Sequence, residues 1–192
     1  MKSFIGLLIL MAANLAVAAD AIQITMPGHQ FYRDYHYTAP FEVVIRDQIE
    51  LGDNLSLALL SIQSEDGPYR VSAQVEISAT LNNEGPHLDL LDWKHCVTPW
   101  TPLNRTAGGD FALPDLNAVD LGCFPEYTQE EARAEVLREG GEDWLMVFDL
   151  LQDQGAMPLD VSLSELRLRI ERRQDGEWAP FTLLALRIPM GC

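Results

Sequence analysis

The side chains best suited to bind a transition metal are four histidines and one neighbouring cysteine: His29, His36, His87, His95 and Cys96. Zinc sites draw their ligands from characteristic short spacings, such as Cys-x-x-Cys with a second ligand pair. These residues show no such spacing, and isolated histidines are common on loops. The sequence therefore predicts no metal centre, and it contains no motif for another cofactor.

A second possible ion site is an acidic, turn-rich segment. Its oxygen-bearing side chains are Asp110, Asp115, Asn117 and Asp120. Calcium accepts oxygen ligands of this kind, but its twelve-residue binding loop requires a central glycine and a terminal glutamate. Both are misplaced here, so we expect a solvated acidic loop.

Catalytic arrangements are equally hard to find. His95 precedes Cys96 directly, and neighbouring positions rarely place a thiol and an imidazole in nucleophile–base geometry. The Gly-x-Ser-x-Gly motif of serine hydrolases is missing from the sequence. We assign no catalytic residue. A hydrolase using carboxylates or a metal near His29, His36, His87 or Asp115 is the least favoured functional class.

The three cysteines are Cys96, Cys123 and Cys192. In an oxidising compartment two of them are expected to pair. We favour Cys96 with Cys123, because that bond would close a weakly patterned loop. The two pairings that involve Cys192 remain open.

An aromatic and basic cluster is the most unusual stretch of the chain. Its candidate binding residues are Phe31, Tyr32, Arg33, Tyr35 and Tyr37. Tyrosine and arginine are enriched at protein contacts, so the cluster could form a contact surface. The alternative is a strand or coil whose rings pack on the body of the domain.

The N-terminus has the three parts of a secretory signal peptide. Lys2 supplies a positive charge, residues 4–11 are apolar, and residues 16–19 are small. The apolar stretch is shorter than the roughly 20 residues of a membrane-spanning helix. We expect cleavage after Ala18 or Ala19, with no membrane insertion afterwards, and a periplasmic or secreted protein.

Charge narrows the range of partners. The chain has 13 basic and 29 acidic residues and a formal net charge of −16. Such a charge repels nucleic acid and anionic lipid. It favours solubility and rapid encounter with a basic protein.

Alternating apolar and polar residues predict strands on both sides of the chain's middle. The clearest run is 69–81, where every second residue is apolar. Residues 41–51 and 55–62 are further strands, and the turn at 65–68 predicts a hairpin from 55–62 into 69–81. Asp47 breaks the first of these patterns and is expected to face out.

The C-terminal third of the chain also contains patterns typical of strands. Residues 144–151 form an apolar run that we read as a strand. The phase change within 161–170 predicts a bulge near Ser164 and Glu165. Asp175-Gly176 predicts a tight hairpin turn into the strand 178–188, with Pro180 at an edge or bulge.

Residues 82–141 are rich in proline and predict an irregular insertion with one helix. Thr128 and Glu131 form a capping box at its start, and Gly140 is placed to end it. The helix is mostly polar and is expected to be held by Val136 and Leu137.

Together these patterns predict a mainly β fold. We expect residues 20–192 to form one antiparallel two-sheet sandwich, immunoglobulin-like in outline, with the insertion at 82–141; a barrel is the alternative. The expected function is an exported acidic protein-binding module, for example an inhibitor or immunity-type protein against a basic partner. A structural or assembly protein of the cell envelope is the second functional class.

Overall fold

The computed structural model describes residues 20–26, 34–64, 67–82, 86–153 and 158–190. They form two sheets, one 3-10 turn and one long helix. The elements are β1 (Ala21–Thr25), β2 (Tyr35–Thr38), β3 (Val44–Gln48), β4 (Leu59–Gln63), β5 (Tyr69–Asn82), β6 (His87–Val97), β7 (Thr101–Pro102), β8 (Phe111–Ala112), the 3-10 turn Leu116–Ala118, α1 (Gln129–Asp153), β9 (Leu159–Gln174) and β10 (Glu177–Arg187).

The smaller sheet has the strand order β2-β1-β4-β8, and the larger has the order β3-β10-β9-β5-β6, with β7 paired to β5. The mainly β, two-sheet prediction is therefore confirmed. One pairing departs from the expected antiparallel pattern, because β3 runs parallel to β10.

The alternation predicted for residues 69–81 produces the longest uninterrupted inner surface of the larger sheet. In β5 every apolar residue from Tyr69 to Leu81 is buried, since strand side chains alternate between the two faces. One half of this surface meets the smaller sheet, and the other half meets α1. A single strand thus contributes to two cores.

The main core lies between the two sheets. Ile22, Ile24 and Leu60 of the smaller sheet pack against the larger sheet's Val71, Val75, Leu166, Leu168, Ile170, Leu184 and Leu186. Burying each large side chain contributes about 1.5–3 kcal/mol. This core holds the two sheets together.

The second core lies between α1 and the other half of the larger sheet. Ala132, Val136 and Phe148 of α1 pack there against Ala79, Leu81, Leu90 and Leu159. Val136 is buried as predicted, whereas Leu137 is 39% exposed. The prediction for Leu137 was wrong because Ala132 and Val136, four residues apart, define the buried face.

The predicted capping box begins α1. The Thr128 amide donates to the Glu131 carboxylate at 2.8 Å, and the Glu131 amide donates to the Thr128 hydroxyl at 3.2 Å. The first hydrogen bond, together with Lys94, holds the pKa of Glu131 below its usual value. The box satisfies two amide groups that have no partner within the helix.

The first helical segment ends next to the predicted Gly140, because the backbone of Gly141 is non-helical, with a φ of 74°. A second helical segment follows directly and continues to Asp153, and α1 denotes the two segments together. A Cβ at Gly140 would lie 2.6 Å from both the Leu88 Cδ2 and the Trp144 Cβ. Gly140 therefore serves close packing, and its neighbour supplies the positive φ that glycine tolerates.

Residues 144–151 are helical, so their prediction as a strand was wrong. Leu145 and Phe148 are three positions apart and both are buried, which fits a helical face. A short apolar run without alternation does not distinguish a buried strand from a buried helix.

The hairpin predicted between 55–62 and 69–81 was also wrong. β4 lies in the smaller sheet between β1 and β8, and β5 lies in the larger sheet. The connection therefore crosses from one sheet to the other. Its turn residues signal a change of direction, and they carry no information about which strand pairs with which.

The middle of the chain is more regular than expected. β6 is an eleven-residue strand within the predicted insertion and pairs with β5. A register shift interrupts this pairing between Ser78 and Ala79. That irregularity breaks up the alternation of β6 and hid the strand from the sequence pattern.

Three local predictions in the C-terminal third are confirmed. Ser164 is the extra residue of a bulge, because Glu76 pairs with Glu165 and Ile77 with Leu163. Asp175 and Gly176 have φ values of 50° and 90° and connect β9 to β10. The register also shifts beside Pro180. There β10 extends beyond its pairing with β3, so Pro180 lies where one edge of the strand is open, a position that suits proline.

The favoured disulfide is confirmed. Cys96 and Cys123 are bonded, with their Cα atoms 6.1 Å apart. The bond ties the end of β6 to the loop that precedes α1. Cys192 and the proposed signal peptide lie outside the described residues.

Candidate functional site: an apolar cleft between two covers

A cleft opens on the inner face of the larger sheet, near the boundary between the two elements that cover it, and loop segments form its other walls. The smaller sheet covers one half of this face and α1 covers the other. Val161 belongs to neither core, and both it and Leu163 remain partly exposed. We call this opening the seam cleft.

The seam cleft has a volume of about 360 Å³ and a mainly apolar wall. Val161, Leu163 and Ile188 come from the larger sheet and the chain after it. The segments 49–55 and 116–121 form the opposite rim. The apolar lining residues are Ile49, Leu55, Leu116, Val119, Leu121, Val161, Leu163, Ile188 and Pro189.

Two side chains, Ser56 and Asp115, fasten the two segments of this rim to each other. The Ser56 hydroxyl donates to the Asp115 carboxylate at 2.6 Å and accepts from the Leu116 amide at 3.0 Å. Asp115 also accepts from the amide of Asn117 and so caps the 3-10 turn. The rim is therefore held by hydrogen bonds between residues almost 60 positions apart in sequence.

Tyr35 positions a carboxylate at the mouth of the seam cleft. Its hydroxyl donates to Asp53 at 2.7 Å and accepts from the Glu50 amide at 2.8 Å. Burial, followed by the hydrogen bond to Asp53, raises the pKa of Tyr35 to about 12. Tyr35 therefore stays protonated and keeps Asp53 at the rim.

The charge around the seam cleft is negative. Asp53 lines the cleft, and none of the lining residues is lysine or arginine. Between Arg105 and Arg133 every charged residue of the sequence is acidic, and this stretch includes the rim segment 116–121. Some arginines of the larger sheet instead pair with glutamates on its outer face, as Arg70 does with Glu171 at 2.8 Å.

Of the five predicted binding residues, the structure describes two. Tyr35 is buried, and it acts on the seam cleft through Asp53. Tyr37 is half-buried, and its hydroxyl donates to Asp47 at 3.0 Å. Asp47 is exposed, as predicted. Phe31, Tyr32 and Arg33 lie outside the described residues, so a contact surface in this segment stays a prediction.

The residues considered as metal ligands do not come together in the part of the chain that the structure describes. No group of three histidine, cysteine or acidic side chains there could hold an ion. Cys96 is in the disulfide and has no free thiol. His87 instead lies 2.8 Å from Asp89.

The acidic loop uses its carboxylates to hold its own backbone and neighbours. Asp110 accepts from the Ser61 hydroxyl at 2.6 Å, and Asp120 accepts from the Gly122 amide at 2.9 Å. Asp115 caps the 3-10 turn. Such bonds account for the acidic and asparagine-rich turns seen in the sequence.

The seam cleft itself was not predicted from the sequence. Its lining comes from four separate stretches of chain. Only one signal pointed towards it, namely the absence of basic residues between Arg105 and Arg133. That signal concerns the charge of the rim and says nothing of the cavity.

Comparison with known proteins identifies no relative: no family model, curated protein or solved structure matches this chain. Among the described helices, none combines the length and the apolar character needed to cross a bilayer.

Proposed function

We propose that this chain is an exported, acidic protein-binding module that captures a basic protein at the seam cleft, as an inhibitor or immunity-type protein would. The observation that carries the proposal is a mainly apolar cleft whose one charged lining residue is the carboxylate Asp53. Protein contacts concentrate their binding energy in apolar or aromatic anchors that enter such pockets.

The volume of the cleft suits an anchor side chain from a partner. At about 360 Å³ it lies at the lower end of the range for binding pockets. A side chain entering it would lose water against Val161, Leu163 and Ile188. Lysines or arginines beside that anchor would meet Asp53 and the acidic rim.

Long-range electrostatics supports the same class of partner. The net charge of −16 accelerates encounter with a basic protein and opposes binding to nucleic acid. Complementary charges raise the association rate more than they raise the final affinity. Binding is therefore expected to weaken as salt increases.

Export belongs to the proposal as well. The disulfide between Cys96 and Cys123 is typical of an oxidising compartment. This supports a periplasmic or secreted protein that has lost residues 1–19. We also propose that the fold is immunoglobulin-like in outline, because two sheets face each other across one core.

The test is capture of partners from extracts of the native compartment at low salt, with two matched variants. Leu121 and Leu137 are 38% and 39% exposed, but only Leu121 lines the cleft. We expect the wild type and Leu137→Arg to retain the same basic protein, and Leu121→Arg to lose it. Equal retention by both variants, or recovery of acidic partners alone, would contradict the proposal.

A specific feature favours self-association as a second function. Met146 and Leu150 lie one helical turn apart on α1 and are 65% and 58% exposed. Exposed apolar stripes of this kind often mark contacts between proteins. An envelope assembly protein would form oligomers through this stripe, and Met146→Lys with Leu150→Lys would dissociate them. A strict monomer at every concentration tested would exclude this alternative.

A further inference from the structure

A second concave site lies on the outer face of the larger sheet, away from the seam cleft. It has a volume of about 490 Å³. Its floor is made of two small residues, Ser164 and Ala185, each 3% exposed. The Ser164 hydroxyl is bonded to that of Ser78 at 2.9 Å. We call this site the outer basin.

Strand register explains the cavity. Arg46 of β3 pairs with Ala185 of β10, and Ala185 pairs with Arg167 of β9. Residues directly opposite one another project from the same face of a sheet. A small alanine therefore sits between two long arginines and leaves a depression.

Arg187 and Glu165 face each other across the outer basin, but each forms its ion pair with another residue. Arg187 pairs in register with Glu165, and adjacent strands lie about 4.8 Å apart. However, Arg187 turns to Asp89, with a contact of 3.4 Å. Glu165 turns to Arg167. The gap between them has an anionic wall of glutamates and a wall that carries Arg46 and Arg187.

The wall of Arg46 and Arg187 has spare binding capacity. Arg46 is exposed and, among the residues that the structure describes, has no carboxylate within ion-pair distance. Arg187 has only its long contact to Asp89. Asp47 also lines this wall, and its carboxylate accepts from the Tyr37 hydroxyl at 3.0 Å. A guanidinium presents five donors and binds carboxylates in a forked geometry.

The anionic wall is only half neutralised. Glu76 and Glu165 share the single guanidinium of Arg167. Their side chains are 16% and 20% exposed, so their charge is poorly screened by water. One negative charge therefore remains opposite Arg46 and Arg187.

We propose that the outer basin binds a small zwitterion of the amino-acid type. The ligand's carboxylate lies on Arg46 and Arg187, and its ammonium group faces Glu76 and Glu165. A simple anion would meet the glutamate wall and the negative field of the whole chain. A simple cation would meet the two arginines, so a ligand with both charges fits best.

Leu91 gives the outer basin an apolar patch, so leucine is a suitable probe. The test is a titration followed by calorimetry and by backbone amide chemical shifts. The probes are glycine, L-leucine, 4-methylpentanoate, which lacks the ammonium group, and 3-methylbutylamine, which lacks the carboxylate. We expect a zwitterion to bind with shifts confined to the residues around the outer basin, in β3, β5, β6, β9 and β10. Each analogue with a single charge should bind at least about tenfold more weakly.

Three variants test whether the zwitterion binds in the outer basin. Arg46→Ala removes an exposed guanidinium and should weaken zwitterion binding about tenfold or more. Ala185→Leu fills the floor and should abolish binding, provided that circular dichroism shows a native fold. Arg133→Ala is the matched control, because Arg133 lies on α1 and pairs with Asp149; it should bind as the wild type does.

Two outcomes would overturn the proposal. One is the absence of saturable binding by glycine and L-leucine up to their solubility limits. The other is binding of 4-methylpentanoate as tight as that of L-leucine, which would indicate a plain anion site. Neither result bears on capture of a basic protein at the seam cleft, which lies on the opposite face of the sheet.

Discussion

The hydroxyl of the buried Tyr35 donates a 2.7 Å hydrogen bond to the Asp53 carboxylate at the mouth of the seam cleft. One residue of the aromatic cluster thus acts on the rim of the cleft from inside the protein. The same hydroxyl accepts from the Glu50 amide. The segment 49–55 is therefore fastened to β2 at two points.

Replacing Tyr35 tests how much its two hydrogen bonds contribute to the stability of the fold. Tyr35→Phe keeps the ring but leaves the Glu50 amide without its acceptor and Asp53 without its donor. We expect a loss of about 1–2 kcal/mol in the free energy of unfolding, measured by chemical denaturation. No change in stability would mean that water replaces the hydroxyl at no cost.

The raised pKa of Tyr35 predicts a dependence on alkaline pH. Folding keeps this phenol protonated to about pH 12, whereas tyrosines of the unfolded chain ionise near pH 10. The contribution to stability is complete below about pH 10 and is lost as pH rises through about 12. Burial also raises the pKa of Tyr127, so phenolate absorbance should show both tyrosines titrating late, and Tyr35→Phe should remove the component near pH 12. An unchanged titration would contradict the assignment.

Reduction of the disulfide should destabilise the fold. The bond joins residues 27 positions apart, and the loop-entropy relation gives about 3–4 kcal/mol for a loop of this length. Denaturation with and without reductant measures the difference. The double variant Cys96→Ala with Cys123→Ala should lose about the same amount and should no longer respond to reductant. A double variant as stable as the oxidised protein would refute the prediction.

The capping box should contribute to the stability of α1. Thr128→Ala removes the hydroxyl that accepts from the Glu131 amide, at an expected cost of about 1 kcal/mol in the free energy of unfolding. Thr101→Ala is a control, because that exposed hydroxyl makes only a 3.4 Å contact. Thermal or denaturant unfolding compares the two. Equal effects from both variants would argue against a specific role for the cap.

The two adjacent glycines of α1 should respond to alanine for different reasons. Gly140→Ala places a Cβ 2.6 Å from the Trp144 Cβ, and overpacking of this kind costs about 1–3 kcal/mol. At Gly141 there is open space, but φ is 74°, which costs an alanine about 1–2 kcal/mol. Denaturation of each variant measures the cost of each cause by itself. A Gly140→Ala variant as stable as the wild type would disprove the close contact.

Local features were predictable where neighbouring residues decide them. The Thr128–Glu131 cap, the bulge at Ser164 and the turn at Asp175-Gly176 all depend on a few consecutive side chains. The inner face of β5 followed from its alternation alone. These predictions were confirmed because hydrogen bonding and side-chain periodicity act over a short range.

Pairing and cavities depended on contacts between distant parts of the chain. No local pattern revealed that β4 and β5 lie in different sheets. Nor did any local pattern reveal that residues 144–151 form a helix. The seam cleft exists because the two covers of the larger sheet leave Val161 and Leu163 partly exposed beside the segments 49–55 and 116–121. The outer basin exists because Ala185 falls between Arg46 and Arg167.

By itself, the sequence determined the acidic charge, the mainly β character, the favoured cysteine pair and the caps and turns. The tertiary structure alone decided which strands pair, which surfaces stay uncovered and which charges face each other. The physical reason is one of range: periodicity and capping are properties of adjacent residues, whereas a cleft is what remains when separate elements pack without covering the whole sheet.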